Sequence, residues 1–316
     1  MNSQQIPITF KNSNGLNLFG ILHLPELVSR EEAIILLSPG IKNRVAPHRL
    51  YVKMANAYVD KGFPTLRFDY YGLGDSEGEI DQTFTADLYG SIETGRYVDD
   101  TICAMNWLKS EHGIKKFILG GLCGGAITGL LTSVKDTRVV AILGLALPIV
   151  LSSSNVVYDE FLTTPELKRK RSFYIKKLMT FEAWRSWVRF LTFKSDYKLI
   201  FRSLFISKLK IKEYESEGKQ EVKTQSIINP HFMPAFKKAI ALQRKFLIIF
   251  AEADRHYWQF SENLIKTNLV DFDSQPNIDL HVIKNANHIF SFKNWQKELL
   301  EISENWLYKK FRAESL

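Results

Sequence analysis

Phe117-Ile118-Leu119-Gly120-Gly121-Leu122-Cys123-Gly124-Gly125-Ala126-Ile127-Thr128 sets an apolar run, a glycine-rich turn and the start of a helical pattern in immediate succession. Small residues two before and two after Cys123 let an incoming strand and an outgoing helix pass in contact, leaving the central side chain at the tip of a strained turn. A thiol held there faces a helix N-terminus, whose positive end favours the thiolate. The amide of the next residue, Gly124, can donate to an oxyanion. The spacing is not that of a dinucleotide-binding fingerprint, which needs G-x-G-x-x-G after the first strand. A buried structural cysteine or a phosphate-binding loop would also produce a glycine-rich turn, so a nucleophile at 123 requires partners elsewhere in the chain.

Outward from this turn the chain alternates strand and helix patterns. Ile6–Lys11 and Leu16–Leu24 flank Asn12-Ser13-Asn14-Gly15, a hairpin signal. Apolar runs follow at Ala33–Leu37, Pro64–Phe68, Lys116–Leu119 and Val139–Leu147, separated by helical patterns at Leu50–Lys61 and Ala86–Ser110. After Leu151 the alternation stops, and aromatic- and Lys/Arg-rich helical stretches run to about Ala235. The strand pattern resumes at Lys245–Ala251 and Ile278–Ile283 before a closing helix over Asn294–Phe311. The expected organisation is a parallel-sheet domain over 1–150 and 236–316, interrupted by a helical cap over 151–235.

A thiol nucleophile needs a base, and the base needs an orienting carboxylate. On strand–turn–helix nucleophiles the chain order is nucleophile, acid, histidine, with the last two on loops after late strands. Phe246-Leu247-Ile248-Ile249-Phe250 runs into Ala251-Glu252-Ala253-Asp254-Arg255, and Leu280-His281-Val282-Ile283 runs into Lys284-Asn285-Ala286-Asn287-His288. Of seven histidines, His288 has the position just past the last strand and before the last helix. His281 lies inside a strand, and His48, His112, His231 and His256 fall elsewhere. Asp254 is favoured over Glu252 as the acid because it sits further along its loop. The loop Leu37-Ser38-Pro39-Gly40-Ile41 offers a second oxyanion amide, assigned to Ile41. Cys103 lies mid-helix among Ile102, Ala104 and Met105 and reads as a core residue.

These residues resemble the α/β-hydrolase superfamily, in particular its serine-aminopeptidase-like branch and the hydrolases associated with the exosortase A system. Two segments carry the likeness: Ser38-Pro39-Gly40 through Asn43-Arg44, Pro47-His48-Arg49 and Phe63–Gly78, and then Gly121-Leu122-Cys123-Gly124-Gly125-Ala126. Asp69–Gly78 is similar to the D-x-R-G-x-G-x-S turn of the superfamily, with Tyr71 in place of arginine at a position whose role there is structural. The resemblance implies a mostly parallel eight-stranded sheet with helices on both faces, and a cap placed over the nucleophile. It implies hydrolysis of ester or thioester bonds through a Cys123-His288-Asp254 triad, with oxyanion donors at Ile41 and Gly124. The elbow alone leaves a second possibility open: an acyltransferase using the same triad with an acyl-coenzyme A or acyl-carrier-protein donor. No metal and no cofactor is expected for either chemistry.

Hydrophobic residues make up 45% of the chain and charged residues 24%, an ordinary globular composition. The net charge of +8 is concentrated between Leu151 and Ile240, which hold eighteen Lys and Arg against nine Asp and Glu. That surplus fits a solvated face, a docking patch for an acidic partner such as an acyl carrier protein or coenzyme A, or a membrane-surface patch. Nucleic-acid binding is not expected, because no recognition module accompanies the charge. The aromatics of the same stretch, among them Phe181, Trp184 and Trp187, are candidates to line an apolar acyl pocket, although packing within the cap accounts for most of them. The apolar run Val139–Leu151 is too short to span a bilayer, so an integral membrane protein is not expected. Two cysteines and no secretory pattern at the N-terminus point to the cytoplasm.

Overall fold

The computed structural model describes residues 4–26, 30–152, 228–272 and 274–311. By contacts the chain divides into Met1–Ser154 with Ile227–Leu316, and Asn155–Ser226. The helical cap, its aromatics and most of the basic surplus expected at 151–235 lie outside the described residues.

The first division is built on an eight-stranded sheet. Its strands are β1 (Gln4–Lys11), β2 (Asn17–Leu24), β3 (Glu32–Leu37), β4 (Thr65–Phe68), β5 (Lys116–Leu122), β6 (Val139–Leu145), β7 (Lys245–Ala251) and β8 (Ile278–Ile283). They lie in the order β1-β2-β4-β3-β5-β6-β7-β8. β1 and β2 form the expected hairpin and β2 runs antiparallel to β4, while every pair from β4 to β8 is parallel.

The helices are α1 (Leu50–Val59), α2 (Thr85–Glu93), α3 (Val98–His112), α4 (Gly124–Ser133), α5 (Phe232–Ala241), α6 (Arg255–Phe260) and α7 (Lys293–Lys310). The central strands read as unbroken apolar runs because both faces are covered. Ile34 and Leu36 of β3 pack with Leu50, Met54 and Tyr58 of α1 and with Trp306 and Leu307 of α7. Ala33, Ile35 and Leu37 of the same strand pack with Ala104, Met105 and Leu108 of α3. In β7 the same alternation sends Leu247 and Ile249 to the α1/α7 layer, and Phe246, Ile248 and Phe250 to a layer with α4 and α5.

The amphipathic pattern over Ala86–Ser110 is divided: Gly95, at φ 113°, separates α2 from α3. The first division takes up the chain again at Ile227. Ile228 bridges Val150, and α5 buries Phe232 and Phe236 against Phe246. Among the described residues no helix is long and apolar enough to cross a membrane.

Candidate active site

β5 ends one residue before Cys123 and α4 begins one residue after it, so the cysteine alone makes the turn, at φ 54° and ψ −113°. That conformation costs a non-glycine residue about 1–3 kcal/mol and persists only where neighbours fix it. A Cβ on Gly121 would lie 2.3 Å from the Gly125 carbonyl carbon, and one on Gly125 would lie 2.2 Å from the Leu37 oxygen. The spacing of glycines around Cys123 is therefore a contact requirement of strand, helix and neighbouring strand. Tyr51 of α1 braces the turn from below: its fully buried hydroxyl donates to the Leu37 carbonyl at 2.7 Å and accepts from the Leu122 N–H at 2.7 Å. The Cys123 N–H donates to the Leu145 carbonyl at 2.8 Å.

The loops after β7 and β8 are stitched together before they present their side chains. The Glu252 N–H donates to Ile283 and the Ala253 N–H to Ala286, at 3.0 and 2.9 Å. Glu252 accepts from the Asn285 N–H at 2.8 Å and so points along the loop surface. Asp254 turns inward, 5% exposed. One of its oxygens caps α6 by accepting from the His256 N–H at 3.1 Å, and the other meets His288 Nδ1 at 2.8 Å. Of the two acids weighed from sequence, Asp254 is the one against the histidine. Burial, the largest single influence, works against its charge, but the His288 hydrogen bond, the charges of His256 and His288 and the His256 N–H together outweigh it and hold the carboxyl below its ordinary range.

A ring nitrogen each of His288 and His256 and the Cys123 sulfur lie no more than 4.8 Å from one another. Burial alone would raise the thiol, yet hydrogen bonding to His256 and His288 and their charge bring it down to about 6. For His288, burial disfavours the imidazolium, while Asp254 and Cys123 favour it more strongly and raise it to about 10. Together these describe a thiolate–imidazolium pair at neutral pH. Cys103 is the contrast: burial beside the α3 layer pushes its thiol up.

His256, set aside in the sequence reading, belongs to this site. It is buried on the first turn of α6, with Nε2 3.8 Å from Cys123 Sγ and its ring centroid 5.3 Å from that of His288. Its Nδ1 has no hydrogen-bond partner among the described residues. Glu93, at the end of α2, is a second residue the sequence did not flag. It accepts from the Ser152 N–H at 2.5 Å and the Ser152 hydroxyl at 3.0 Å, and burial raises its carboxyl to about 7. These side chains, with Tyr89 and Arg255, line a cleft of about 260 Å³ over the sulfur.

The loop after β3 reaches the other side of the turn. Gly40, at φ 60°, lies so close to Gly124 that a Cβ on the latter would sit 2.8 Å from the Gly40 Cα. Gly124 occupies the first position of α4, where an N–H has no partner within the helix. Ile41, the next residue after Gly40, packs at the α3 side of the sheet. The loop is held by Arg44, whose N–H donates to Asp69 at 2.5 Å and whose guanidinium pairs with Asp69 and, at 2.6 Å, with Asp75. The Asp69–Gly78 turn thus anchors the loop rather than touching the sulfur. Tyr71, the departure from the family pattern, packs under Arg96 at 4.7 Å.

No protein-family model matches the chain. Curated proteins are similar over a short segment. A protein of the traX–finO intergenic region of Escherichia coli is 31% identical over 90 residues, 28% of this chain and 26% of that protein. The human protein ABHD12B is 34% identical over 100 residues, 32% of this chain and 23% of that protein. The matched segment thus spans only about a quarter of either relative. Solved structures match along nearly the whole chain. An α/β serine hydrolase of Xanthomonas campestris described as lacking a lid has a TM-score of 0.54 at 12% identity, covering 100% of this chain and 99% of that one. An esterase of Pyrococcus furiosus reaches 0.56 at 14% identity, covering 98% and 92%. An α/β-hydrolase of Penicillium reaches 0.55 at 18%, covering 98% and 99%. The chain has the α/β-hydrolase fold.

Proposed function

We propose that the protein hydrolyses ester or thioester bonds through a covalent acyl-enzyme on Cys123. The observation that carries this reading is the convergence of a strained elbow thiol with a histidine whose Nδ1 is held at 2.8 Å by a buried aspartate. Chain order, backbone strain and protonation all agree with that role.

Asp254 fixes His288 with Nδ1–H toward the carboxylate and Nε2 toward the cleft. The Cys123 thiolate attacks the substrate carbonyl, and the carbonyl oxygen takes the charge between the amides of Gly124 and Ile41. Collapse of the tetrahedral intermediate expels the alkoxide or thiolate, which takes a proton from the His288 imidazolium. Neutral His288 then removes a proton from water, hydroxide adds to the acyl-thioester carbon, and the acid leaves as Cys123 thiolate is restored. His256 supports the sulfur from a second direction: with Nε2 protonated, it donates toward the thiolate and lowers the cost of keeping a buried anion. An ester or thioester suits this arrangement better than an amide, because expelling an amine demands fuller proton transfer from the same imidazolium. The cleft volume, about 260 Å³, fits a short acyl group or the reacting end of a longer one.

Intact-mass spectrometry during incubation with p-nitrophenyl esters and acyl thioesters tests the assignment. A transient mass gain equal to the acyl group, mapped to Cys123 and absent in Cys123→Ala, is expected. Full esterase activity in Cys123→Ala would refute it.

A further inference from the structure

Cys123, His256 and His288 present one sulfur and two imidazole nitrogens with no pair farther apart than 4.8 Å. We infer that these three side chains form a site for Zn²⁺ or another thiophilic divalent ion, and that the ion and an acyl group compete for the same sulfur. A thiolate and two imidazoles are a donor set for zinc and cobalt rather than for magnesium or calcium. With Zn–S near 2.3 Å and Zn–N near 2.0 Å, the edge of a tetrahedral site between sulfur and nitrogen is about 3.6 Å. The Cys123 Sγ to His256 Nε2 separation is 3.8 Å, so one edge is already in place. The remaining edges, none longer than 4.8 Å, close by about 1.5 Å or less, shared between two side chains.

Two further features suit a metal site, the first shared with a triad and the second not required by one. His288 gives its Nδ1–H to Asp254 at 2.8 Å, which leaves Nε2 as the donor and supplies the carboxylate that fixes metal-ligating histidines. His256 is buried with an Nδ1 that has no partner among the described residues, and hydrolysis by His288 and Asp254 does not require a second imidazole. Three protein ligands leave the fourth position facing the cleft, open to water. On binding, the thiolate and both Nε2 atoms become ligands: the Nε2 proton of the His288 imidazolium passes to solvent, and the His256 ring proton moves to Nδ1. The sulfur lone pair needed for acyl transfer is then engaged. The site becomes one whose activity falls as free zinc rises and recovers when a chelator removes it.

Cobalt substitution reads the site without reference to turnover. Titration of the metal-free protein with Co²⁺ is expected to give one equivalent bound, with a thiolate-to-cobalt charge-transfer band and the visible bands of a tetrahedral ion. Cys123→Ser should lose the charge-transfer band, and His256→Ala should weaken binding more than about tenfold, since outer-shell changes alone cost 10–100-fold. Zn²⁺, but not Mg²⁺, should protect Cys123 of the unmutated protein from iodoacetamide, a reading that stands even if a variant misfolds. Absence of the charge-transfer band, or a band and affinity unchanged in a folded His256→Ala, overturns the site. Acylation at Cys123 without cobalt binding would sink the metal site alone, whereas cobalt bound through a sulfur that never acylates would sink the hydrolase reading alone.

Discussion

Replacing Glu93 by glutamine should make the protein more stable above neutral pH and leave it nearly unchanged in mild acid. Glu93 is 3% exposed, and burial lifts its carboxyl from 4.5 to about 7. A folded-state value above the unfolded one means that the native protein binds more protons between those two pH values. Stability therefore falls as pH rises through that window. The contribution is fully present below about 4.5 and lost above about 7, and at 1.36 kcal/mol per unit the change amounts to about 3 kcal/mol. Glutamine keeps an oxygen for the Ser152 N–H and an NH₂ to donate to the Ser152 hydroxyl, so the hydrogen bonds of this corner survive the change. Urea unfolding of both proteins at pH 5, 6, 7 and 8 isolates the effect, because all other titrations are shared and cancel in the difference. The expected difference is about 1 kcal/mol or less at pH 5 and grows to about 3 kcal/mol in favour of glutamine at pH 8. A difference that is flat across the series, or one favouring glutamate at pH 8, would refute the reading of Glu93 as a buried carboxyl whose charge is disfavoured.

Other outcomes follow from the same geometry. With chelator present, the rate of Cys123 alkylation by iodoacetamide should rise with a midpoint near pH 6; a midpoint near the ordinary thiol value of 9.0 would remove the thiolate–imidazolium pair. Asp254→Asn should lower kcat by roughly 10²–10⁴-fold with little change in KM, because an amide no longer fixes the His288 tautomer. Glu252→Gln, altering a loop contact to the Asn285 N–H, should stay within about threefold of the unmutated rate, inside the range of ordinary surface changes. Tyr51→Phe strands the Leu122 N–H and the Leu37 carbonyl in the core and should cost roughly 1–3 kcal/mol in chemical denaturation. The same variant should slow acylation, since the residue it releases immediately precedes Cys123.

What could be read from the sequence was set by contacts that tolerate few residue types. Gly121 and Gly125 are visible in the chain because no Cβ fits at either position, and β3 and β7 are visible because a strand covered on both faces shows no polar alternation. His288 could be placed by chain order because a single histidine follows the last strand. Ala86–Ser110 gives one continuous amphipathic pattern because its apolar period runs almost undisturbed through the break, which a single left-handed residue, Gly95, accomplishes. The start of α5 falls in the stretch expected as the insertion for a related reason: Phe232 and Phe236 continue the aromatic character of the preceding stretch, and only the contact of Phe236 with Phe246, with Phe232 stacked on Phe236, shows which layer they serve. Glu93 carried no signal, since the break at Gly95 fixes which face of α2 meets the cleft.

His256 is different, because its position was implied by local chemistry. An aspartate that holds a histidine with one oxygen has its other oxygen free, and when a helix starts immediately afterwards that oxygen caps it through the amide two residues on. Asp254 does both, at 2.8 Å to His288 and 3.1 Å to the His256 N–H. The amide of residue 256 is thereby tied to a carboxylate that already touches the site, which places its side chain within reach of the sulfur. A histidine at that position is consequently a site residue by the geometry of the cap. In a chain with this fold, the side chain two past such an aspartate merits the same scrutiny as the proposed triad.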